Sequence, residues 1–423
     1  MTRTRLDEAA FSQLGLGGAW QFFSERFSPA GRWFALATIA WFLSGINSLD
    51  LQAYVPLLYA FAFWILAVLA VFWVRPRVEL KAQHIGRVCA GETLPIETEV
   101  TYLRGNRAEN FRVLPFRLPT SLQALPPGGA FLPAGKAGEK VRLDSGVLCR
   151  RRGVYRVPGF RVETDFPFGI LRASQTFTRE SSLLVLPKFA PLSSLEIPRG
   201  RRHHPGGVAL ATHGGESFEF LGNRDYRSGD AVRDIDWRAT ARLQRPVVRE
   251  FREEYFLRVA VVLDTHIPQG RNAILDDGDD AFEHAVSQCA AIADFLARSD
   301  YIVDILAAGP NLYHLTTGRS GAYLDQILDI LACVEVSRDA PFEILEPEIA
   351  ENLAQINTVI FLFLDWDETR RAFVERLEQS GAGLKIIIVR DEPCTIDPTK
   401  EAQYSGVLSV FSSAQCAAGI ANL

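Results

Sequence analysis

Two sets of aspartates are the candidates for chemistry in this 423-residue chain. The first set, Asp230, Asp234 and Asp236, alternates with arginines. The second set is Asp264 and Asp365, each of which follows an apolar run typical of a buried strand. Neighbouring carboxylates can act as a general acid and base, and oxygen ligands at strand ends can bind Mg²⁺ or Mn²⁺.

Acid–base catalysis is the weaker of these two possibilities. Asp234 and Asp236 are two residues apart, which would place them on different sides of a helix. The surrounding segment 219–242, EFLGNRDYRSGDAVRDIDWRATAR, contains no His or Cys. The chain has no G-x-x-x-x-G-K-[ST] phosphate loop, no G-x-S-x-G elbow and no H-E-x-x-H helix. We therefore predict that the protein is not an enzyme, and a cell-envelope hydrolase is the alternative.

Two other interpretations fit the same segment. Gly229 permits a sharp turn, Asp230 can cap a short helix after it, and Arg233 and Asp236 would lie near Asp230 on one helical face. An Arg–Asp network would then pin the segment to the sheet of the next domain. Alternatively the segment is a partner interface, because Tyr, Trp and Arg dominate such surfaces. The candidate residues are Arg224, Tyr226, Gly229, Asp230, Arg233, Asp236, Trp237 and Arg242.

This segment resembles the signature of the bacterial and archaeal family called domain of unknown function 58. The matching positions are Glu219-Phe220, Arg224, Tyr226, Gly229-Asp230, Arg233, Ile235-Asp236-Trp237 and Ala241-Arg242. The resemblance implies a von Willebrand A-like fold. It also implies a MoxR-type AAA+ ATPase as partner, with which such proteins are proposed to assemble or remodel other proteins.

A second stretch, residues 151–172, is similar to the family's Arg-Arg-Gly-x-Tyr strand followed by an Asp-Pro-Phe-Gly-Leu turn. Here the turn reads Asp165-Phe166-Pro167-Phe168-Gly169-Ile170, with one residue inserted. Its functional interpretation is a docking module for a partner. Its structural interpretation is a turn that holds two strands in register, since Asp, Pro and Gly favour turns.

The strand-end aspartates depart from the metal-binding pattern of the von Willebrand A class. In that pattern the first strand ends Asp-x-Ser-x-Ser, whereas this chain has Asp264-Thr265-His266-Ile267-Pro268. Asp264 and Asp365 remain at strand ends, and Thr316 or Thr317 could add an oxygen. Proline offers no ligand, so we predict a degenerate position that binds no metal or other cofactor. A Mg²⁺- or Mn²⁺-dependent adhesion module is the alternative function.

Two charge-free stretches near the N-terminus predict membrane spans. Residues 33–49 and 51–74 contain no Asp, Glu, Lys or Arg, and Asp50 separates them. A helix needs roughly 20 apolar residues to cross a bilayer. Basic residues flank the pair at Arg26, Arg32, Arg75 and Arg77, so the positive-inside rule predicts a two-span hairpin in the inner membrane with both termini and the soluble domains cytoplasmic.

The rest of the chain changes pattern twice. Residues 76–190 contain short alternating runs broken by Gly and Pro, which predict a β-sandwich. Residues 257–423 alternate apolar strands with helices, which predict a mostly parallel α/β sheet of the von Willebrand A-like, or Rossmann-like, type. The segment 191–256 is then a linker plus the signature, and residues 1–32 are amphipathic.

Composition narrows the function class. The formal net charge of −5 gives no basic field for nucleic acid. None of the six cysteines forms a C-x-x-C pair, which argues against a zinc site. We therefore expect a membrane-anchored, non-catalytic scaffold that presents a docking surface to a MoxR-type ATPase. Other membrane proteins are further candidate partners.

Overall fold

A computed structural model describes residues 26–46, 51–103, 110–198, 208–209, 219–252, 255–267, 280–299, 301–308, 312–316, 322–338, 342, 345–347, 349, 356–379 and 381–423. The chain divides into two compact units, Met1–Val185 and Leu186–Leu423. Most of the predicted amphipathic segment 1–32 lies outside the described residues.

Two apolar helices begin the described part of the first unit. Helix α1 (Pro29–Ile46) is followed by a 3₁₀ turn (Leu51–Tyr54) and helix α2 (Val55–Val74). The helices contact each other: the Phe34 ring lies 5.4 Å from Phe63, and Trp64 Nε1 donates to Thr38 Oγ1 at 3.3 Å. By length and hydropathy α2 is the candidate membrane-spanning helix among the described residues, which indicates membrane association.

Two antiparallel sheets form the rest of this unit. Their strands are β1 (Val78–His84), β2 (Arg87–Cys89), β3 (Thr93–Tyr102), β4 (Phe111–Pro115), β5 (Leu122–Leu125), β6 (Ala130–Leu132), β7 (Lys140–Cys149), β8 (Gly153–Thr164) and β9 (Ala173–Leu186). One sheet has the order β1-β3-β7-β5 and the other β2-β9-β8-β4-β6.

Alternation of apolar residues explains how these sheets bury one face. In β3, Leu94, Ile96, Val100 and Tyr102 are buried at every second or fourth position, because successive side chains point to opposite faces. They join two hydrophobic clusters that also take residues from the other sheet, such as Val162 of β8. The core of this unit therefore contains side chains from both sheets.

The second unit contains a larger, mostly parallel sheet. Its elements are β10 (Val208–Ala209), β11 (Glu219–Asp225), α3 (Trp237–Leu243), β12 (Val247–Arg252), β13 (Tyr255–Phe256), β14 (Arg258–Leu263), α4 (Asp280–Arg298), β15 (Ile302–Ala308), β16 (Leu312–Thr316), α5 (Ala322–Cys333), β17 (Thr358–Phe363), α6 (Glu368–Glu378), β18 (Gly383–Val389), β19 (Leu408–Phe411) and α7 (Ser413–Ala418). The six-stranded sheet has the order β16-β15-β14-β17-β18-β19. Of its five strand pairs, only β15–β16 is antiparallel.

Helices cover both faces of this sheet. Strand β14 is buried throughout, with Val261 packing in the cluster that contains Phe282 of α4, and Val262 in the cluster that contains Phe373 of α6. The strand order reverses between β14 and β17, and open α/β sheets place ligands at the carboxyl ends of strands next to such a reversal. The predicted multidomain α/β architecture is confirmed at this level, and Asp264 and Asp365 follow the two strands at the reversal.

Candidate functional site

Residues 219–252, here called the ribbon segment, form a small substructure with its own hydrogen bonds. Strands β11 and β12 pair antiparallel, with Asp225 opposite Val247. Between them lie a turn, a 3₁₀ helix (Val232–Asp234) and α3. Val247 and Val248 are buried, and Asp236 N donates to Val247 O at 2.9 Å. The pairing of β12 with β11 closes the segment into a loop and so fixes the positions of the predicted site residues that lie between the two strands.

Arg224 and Asp230 hold the turn of the ribbon segment. The guanidinium of Arg224 donates to both carboxylate oxygens of Asp230, at 2.7 and 2.8 Å. Arg227 N donates to the same carboxylate at 2.7 Å, and Gly229 adopts φ 110°, which favours glycine. The bonds from Arg224 and Arg227 lower the pKa of Asp230 to about 2. The position of Asp230 after Gly229 suggested that it caps the following helix. It does not, because Arg224 and Arg227 bind its side chain.

Asp236 is the residue that caps a helix in this segment. Its Oδ1 accepts from Arg238 N at 3.0 Å and from Ala239 N at 2.9 Å at the start of α3. Its Oδ2 accepts from Asn223 Nδ2 at 3.3 Å. These bonds, the largest from Ala239, lower the pKa of Asp236. The predicted shared helical face is wrong, because Ile235 is extended and separates the 3₁₀ helix of Arg233 from α3.

The remaining predicted residues of the segment point into solvent. Trp237 is 65% exposed and Tyr226 is 38% exposed. The Arg233 side chain is 80% exposed, and Arg242 is also exposed. The predicted interface set therefore separates into two groups. Arg224, Gly229, Asp230 and Asp236 shape the segment, whereas Tyr226, Arg233, Trp237 and Arg242 are available for contact.

We expect acid to open the turn of the ribbon segment. The folded pKa of Asp230 is depressed from 3.8 to about 2, so its ionised form stabilises the turn above the unfolded value. That contribution is lost as the pH falls from 3.8 through about 2. Amide hydrogen exchange of residues 222–230, corrected for intrinsic rates, measures the opening.

Asp230→Asn should show the opened turn already at neutral pH. Asp225→Asn is the matched control, because Asp225 makes an exposed pair with Arg245 and should leave the turn closed. Protection of residues 222–230 that stays constant across this pH range in the unmodified protein would contradict the role of Asp230.

The strand-end carboxylate Asp264 is paired with an arginine. Arg370 of α6 is fully buried, and its Nε and Nη2 lie 2.8 and 2.7 Å from Asp264 Oδ2. Arg370 also contacts the Asp367 carboxylate through Nη1 and donates to His266 O at 3.0 Å. Backbone N–H groups of His266 and Leu364 complete the shell of Asp264 at 2.9 and 3.1 Å. Burial lowers the pKa of Arg370, but Asp264 and Asp367 outweigh that effect and raise it.

Asp365 is likewise engaged inside the protein. It accepts from Thr395 Oγ1 at 2.7 Å, from Thr395 N at 3.0 Å and from Trp366 N at 2.8 Å, and Arg390 Nη1 lies 2.5 Å away. Burial raises its pKa, yet these hydrogen bonds and the Arg390 charge lower it overall. Asp264 and Asp365 thus each have their own arginine.

The suggested oxygen ligand Thr316 lies at the other end of the sheet. Strand β16 runs antiparallel to β15 and places Thr316 opposite Asp304. Thr316 Oγ1 accepts from Arg258 Nη2 at 3.2 Å, and Arg258 begins β14 whereas Asp264 follows its end. The expectation that Thr316 could join Asp264 is therefore wrong, and Thr317 lies outside the described residues.

Sequence reasoning missed Arg370, Arg390 and Thr395. Arg370 stands beside Arg371 on α6, and nothing in the local pattern marks one as buried and the other as partly exposed. The signal that could have found Arg370 is the pairing rule for buried charge: a carboxylate at the end of an entirely apolar strand needs a cation or several donors.

We expect the full-length protein to bind no Mg²⁺ or Mn²⁺ at Asp264. The guanidinium of Arg370 already neutralises this carboxylate, and backbone N–H groups take its other lone pairs. Calorimetric titration of either ion should give the same heat for the unmodified chain as for Asp264→Asn. A binding heat that is lost in Asp264→Asn would contradict the assignment.

Comparison with known proteins tests the resemblance. Residues 222–333 match the model of a family described as "Protein of unknown function DUF58". The match supports the DUF58 family. It covers the ribbon segment from Gly222 onward, strands β14 to β16 of the six-stranded sheet, and helices α4 and α5. A search of curated proteins finds no match.

Among the solved structures similar to the chain is a conjugative transposon lipoprotein from Bacteroides eggerthii DSM 20697, at 18% sequence identity. The alignment covers 25% of this chain and 94% of the lipoprotein, with a TM-score of 0.15. A score this low carries no argument about fold or function.

Proposed function

We propose that this protein is a membrane-anchored, non-catalytic adaptor that presents the ribbon segment to a MoxR-type AAA+ ATPase for the assembly or remodelling of other proteins. The observation that carries the proposal is that some residues of the ribbon segment fix its backbone, whereas others are exposed and available for contact. Its carboxylates are bound by its own arginines and amides, while Trp237 and Arg233 are exposed. Exposed Trp, Tyr and Arg on a fixed backbone are typical of binding surfaces. The ATPase is the partner that the DUF58 resemblance implies.

The anchor in this proposal is a two-span helical hairpin. Helices α1 and α2 contact each other, and their outward surfaces carry exposed apolar side chains such as Trp33, Leu58 and Trp73. Basic residues follow α2 at Arg75 and Arg77, which favours a cytoplasmic location for the following domains. In this arrangement the antiparallel sheets are a β-sandwich and the last unit is a von Willebrand A-like domain on the inner side of the membrane.

The Arg370–Asp264 pair supports the metal-free form of that domain. A guanidinium with two atoms within 3 Å of the strand-end carboxylate occupies the space in which a cation would have to bind. Metal-dependent adhesion would require Arg370 to leave a fully buried position and expose an unpaired charge. The adhesion alternative is therefore disfavoured.

The hydrolase alternative is disfavoured by the carboxylates of the ribbon segment. A general acid or base works best when its pKa is near the operating pH. The pKa of Asp230 is about 2, and both oxygens of this carboxylate are bound by Arg224. Such a group is a poor proton donor or acceptor at neutral pH.

Affinity capture from membranes tests the proposal. Tagged full-length protein should retain an AAA+ ATPase, identified by mass spectrometry, and Trp237→Ala should lose it. The matched control is Phe131→Ala, which removes an aromatic ring that is 55% exposed on β6. Capture that is equal for all three proteins, or that yields no ATPase, would contradict the proposal.

A further inference from the structure

The turn between β8 and β9 contacts the apolar helices. Its three exposed residues, Phe166, Pro167 and Phe168, are here called the Phe-Pro-Phe tip. The ring of Phe168 lies 5.0 Å from that of Phe63 in α2, in an edge-on arrangement. Phe166 is 39% exposed and Phe168 is 42% exposed. A turn of a soluble domain thus presents only apolar side chains at its end, directly beside the candidate membrane-spanning helix.

Backbone bonds fix this turn to the start of α1. Ser28 N donates to Ile170 O at 3.1 Å, Arg172 N donates to Arg26 O at 2.8 Å, and Ser28 Oγ donates to Gly169 O. The approach is so close that a Cβ on Gly31 would lie 1.9 Å from Ile170 O. The position of the turn relative to the two helices is therefore set by main chain as well as by side chains.

The position of Phe63 along α2 determines how deep the Phe-Pro-Phe tip lies in the bilayer. Phe63 precedes Val74 by eleven residues, or about 16 Å at 1.5 Å per residue. The hydrocarbon layer is about 30 Å thick, so a spanning α2 carries Phe63 well inside it. If this half of α2 stayed outside the bilayer, Leu69, Phe72 and Trp73, exposed by 58, 73 and 82%, would face water. Immersion of the tip avoids that exposure.

Part of the backbone of the turn is bonded within the protein, as backbone groups in lipid must be. Phe166 N donates to Thr164 Oγ1 at 3.2 Å and Gly169 N donates to Asp165 O at 2.8 Å. Pro167 has no N–H group, and the carbonyls of Gly169 and Ile170 accept from Ser28.

We propose that the Phe-Pro-Phe tip enters the acyl layer of the membrane, so that this turn is a lipid-binding site of the soluble sheets. The site would hold the antiparallel sheets at a fixed height and orientation on the bilayer. This inference depends on the membrane association of α2 and not on the ATPase.

Photo-crosslinking of the full-length protein tests this site. Benzoylphenylalanine is placed at Phe166 in protein reconstituted into vesicles of phosphatidylethanolamine and phosphatidylglycerol. Phe61, 64% exposed on α2, is the positive control, and Phe131, 55% exposed on β6, is the matched control in the same unit. After irradiation, position 166 should gain the mass of one phospholipid, as position 61 does, while position 131 should gain none.

Each other outcome overturns the inference. A lipid adduct at position 61 without one at 166 would place the tip in water. Equal adducts at 166 and 131 would show nonspecific labelling of exposed phenylalanines. The absence of an adduct at 61 would remove the membrane association on which the site depends. That third outcome would also remove the membrane anchor of the proposed function. The first two outcomes leave capture of an ATPase through Trp237 untouched, so they overturn this inference alone.

Discussion

Replacing Arg370 with alanine is expected to lower the free energy of unfolding of the Leu186–Leu423 unit by about 3–5 kcal/mol, the range for removing one partner of a buried ion pair. Both Arg370 and Asp264 have fully buried side chains, so the remaining carboxylate cannot be hydrated. Loss of the guanidinium also removes the hydrogen bond to His266 O and the packing over the Phe342 ring, 5.5 Å from its centroid. Denaturant-dependent hydrogen exchange of the β14 amides in the full-length protein measures the effect.

The neighbouring arginine supplies the control for that experiment. Arg371 lies on the same helix, but its side chain is 32% exposed. Two of its partners, Glu368 and Glu375, are on the surface, and the third, Glu401, is 14% exposed. Exposed pairs of this kind contribute about 1 kcal/mol or less, so Arg371→Ala should have a small effect. Adding Asp264→Asn to Arg370→Ala should recover part of the loss, because the unpaired charge is gone. Equal stability of Arg370→Ala and Arg371→Ala would show that Arg370 is not the internal counterion.

Replacing Trp237 with alanine is expected to weaken binding of the captured ATPase by about 2 kcal/mol, or roughly 30-fold in Kd, the size typical of a hot-spot tryptophan. Trp237 follows the cap residue Asp236 and is 65% exposed, so the change should leave α3 and its cap intact. Titration of the ATPase onto full-length protein in vesicles measures the Kd.

Folding controls separate lost contact from lost structure at Trp237. Asp236→Ala removes the helix cap while keeping the tryptophan, and it should weaken binding only as far as hydrogen-exchange protection of α3 falls. Phe131→Ala should leave the Kd unchanged. A Kd for Trp237→Ala within the error of the unmodified protein would place the binding surface elsewhere.

The α/β unit was readable from sequence because its periodicity is strong. The apolar runs at Arg258–Leu263 and Thr358–Phe363 are buried strands, and the stretch 281–299, whose apolar residues recur with helical spacing, forms α4, Asp280–Arg298. Strand β16 was missed. Its sequence LYHLT is short and half-exposed, and it pairs along one edge only, so it carries little pattern.

The ion pairs of the buried aspartates could not be predicted from the sequence, because the partners are far apart in the chain. Asp264 and Arg370 are separated by 106 positions, and only the fold brings them together. The role of Asp230 was misassigned for a related reason. Local sequence favours a helix cap by the residue after Gly229. Strand β11, however, places Arg224 beside the Asp230 carboxylate, and this bidentate charged pair is stronger than a cap on a short 3₁₀ helix. The contact of the Phe-Pro-Phe tip with α2 is likewise a product of folding.

The most direct test of the central claim is an ATPase assay with purified components. The full-length protein in vesicles is assayed alone, the captured ATPase is assayed alone, and the two are then combined. The account predicts no ATP turnover by this protein, and a changed rate for the ATPase with the unmodified chain but not with Trp237→Ala. ATP turnover by this protein alone, or an ATPase rate that is the same with and without the unmodified protein, would contradict it.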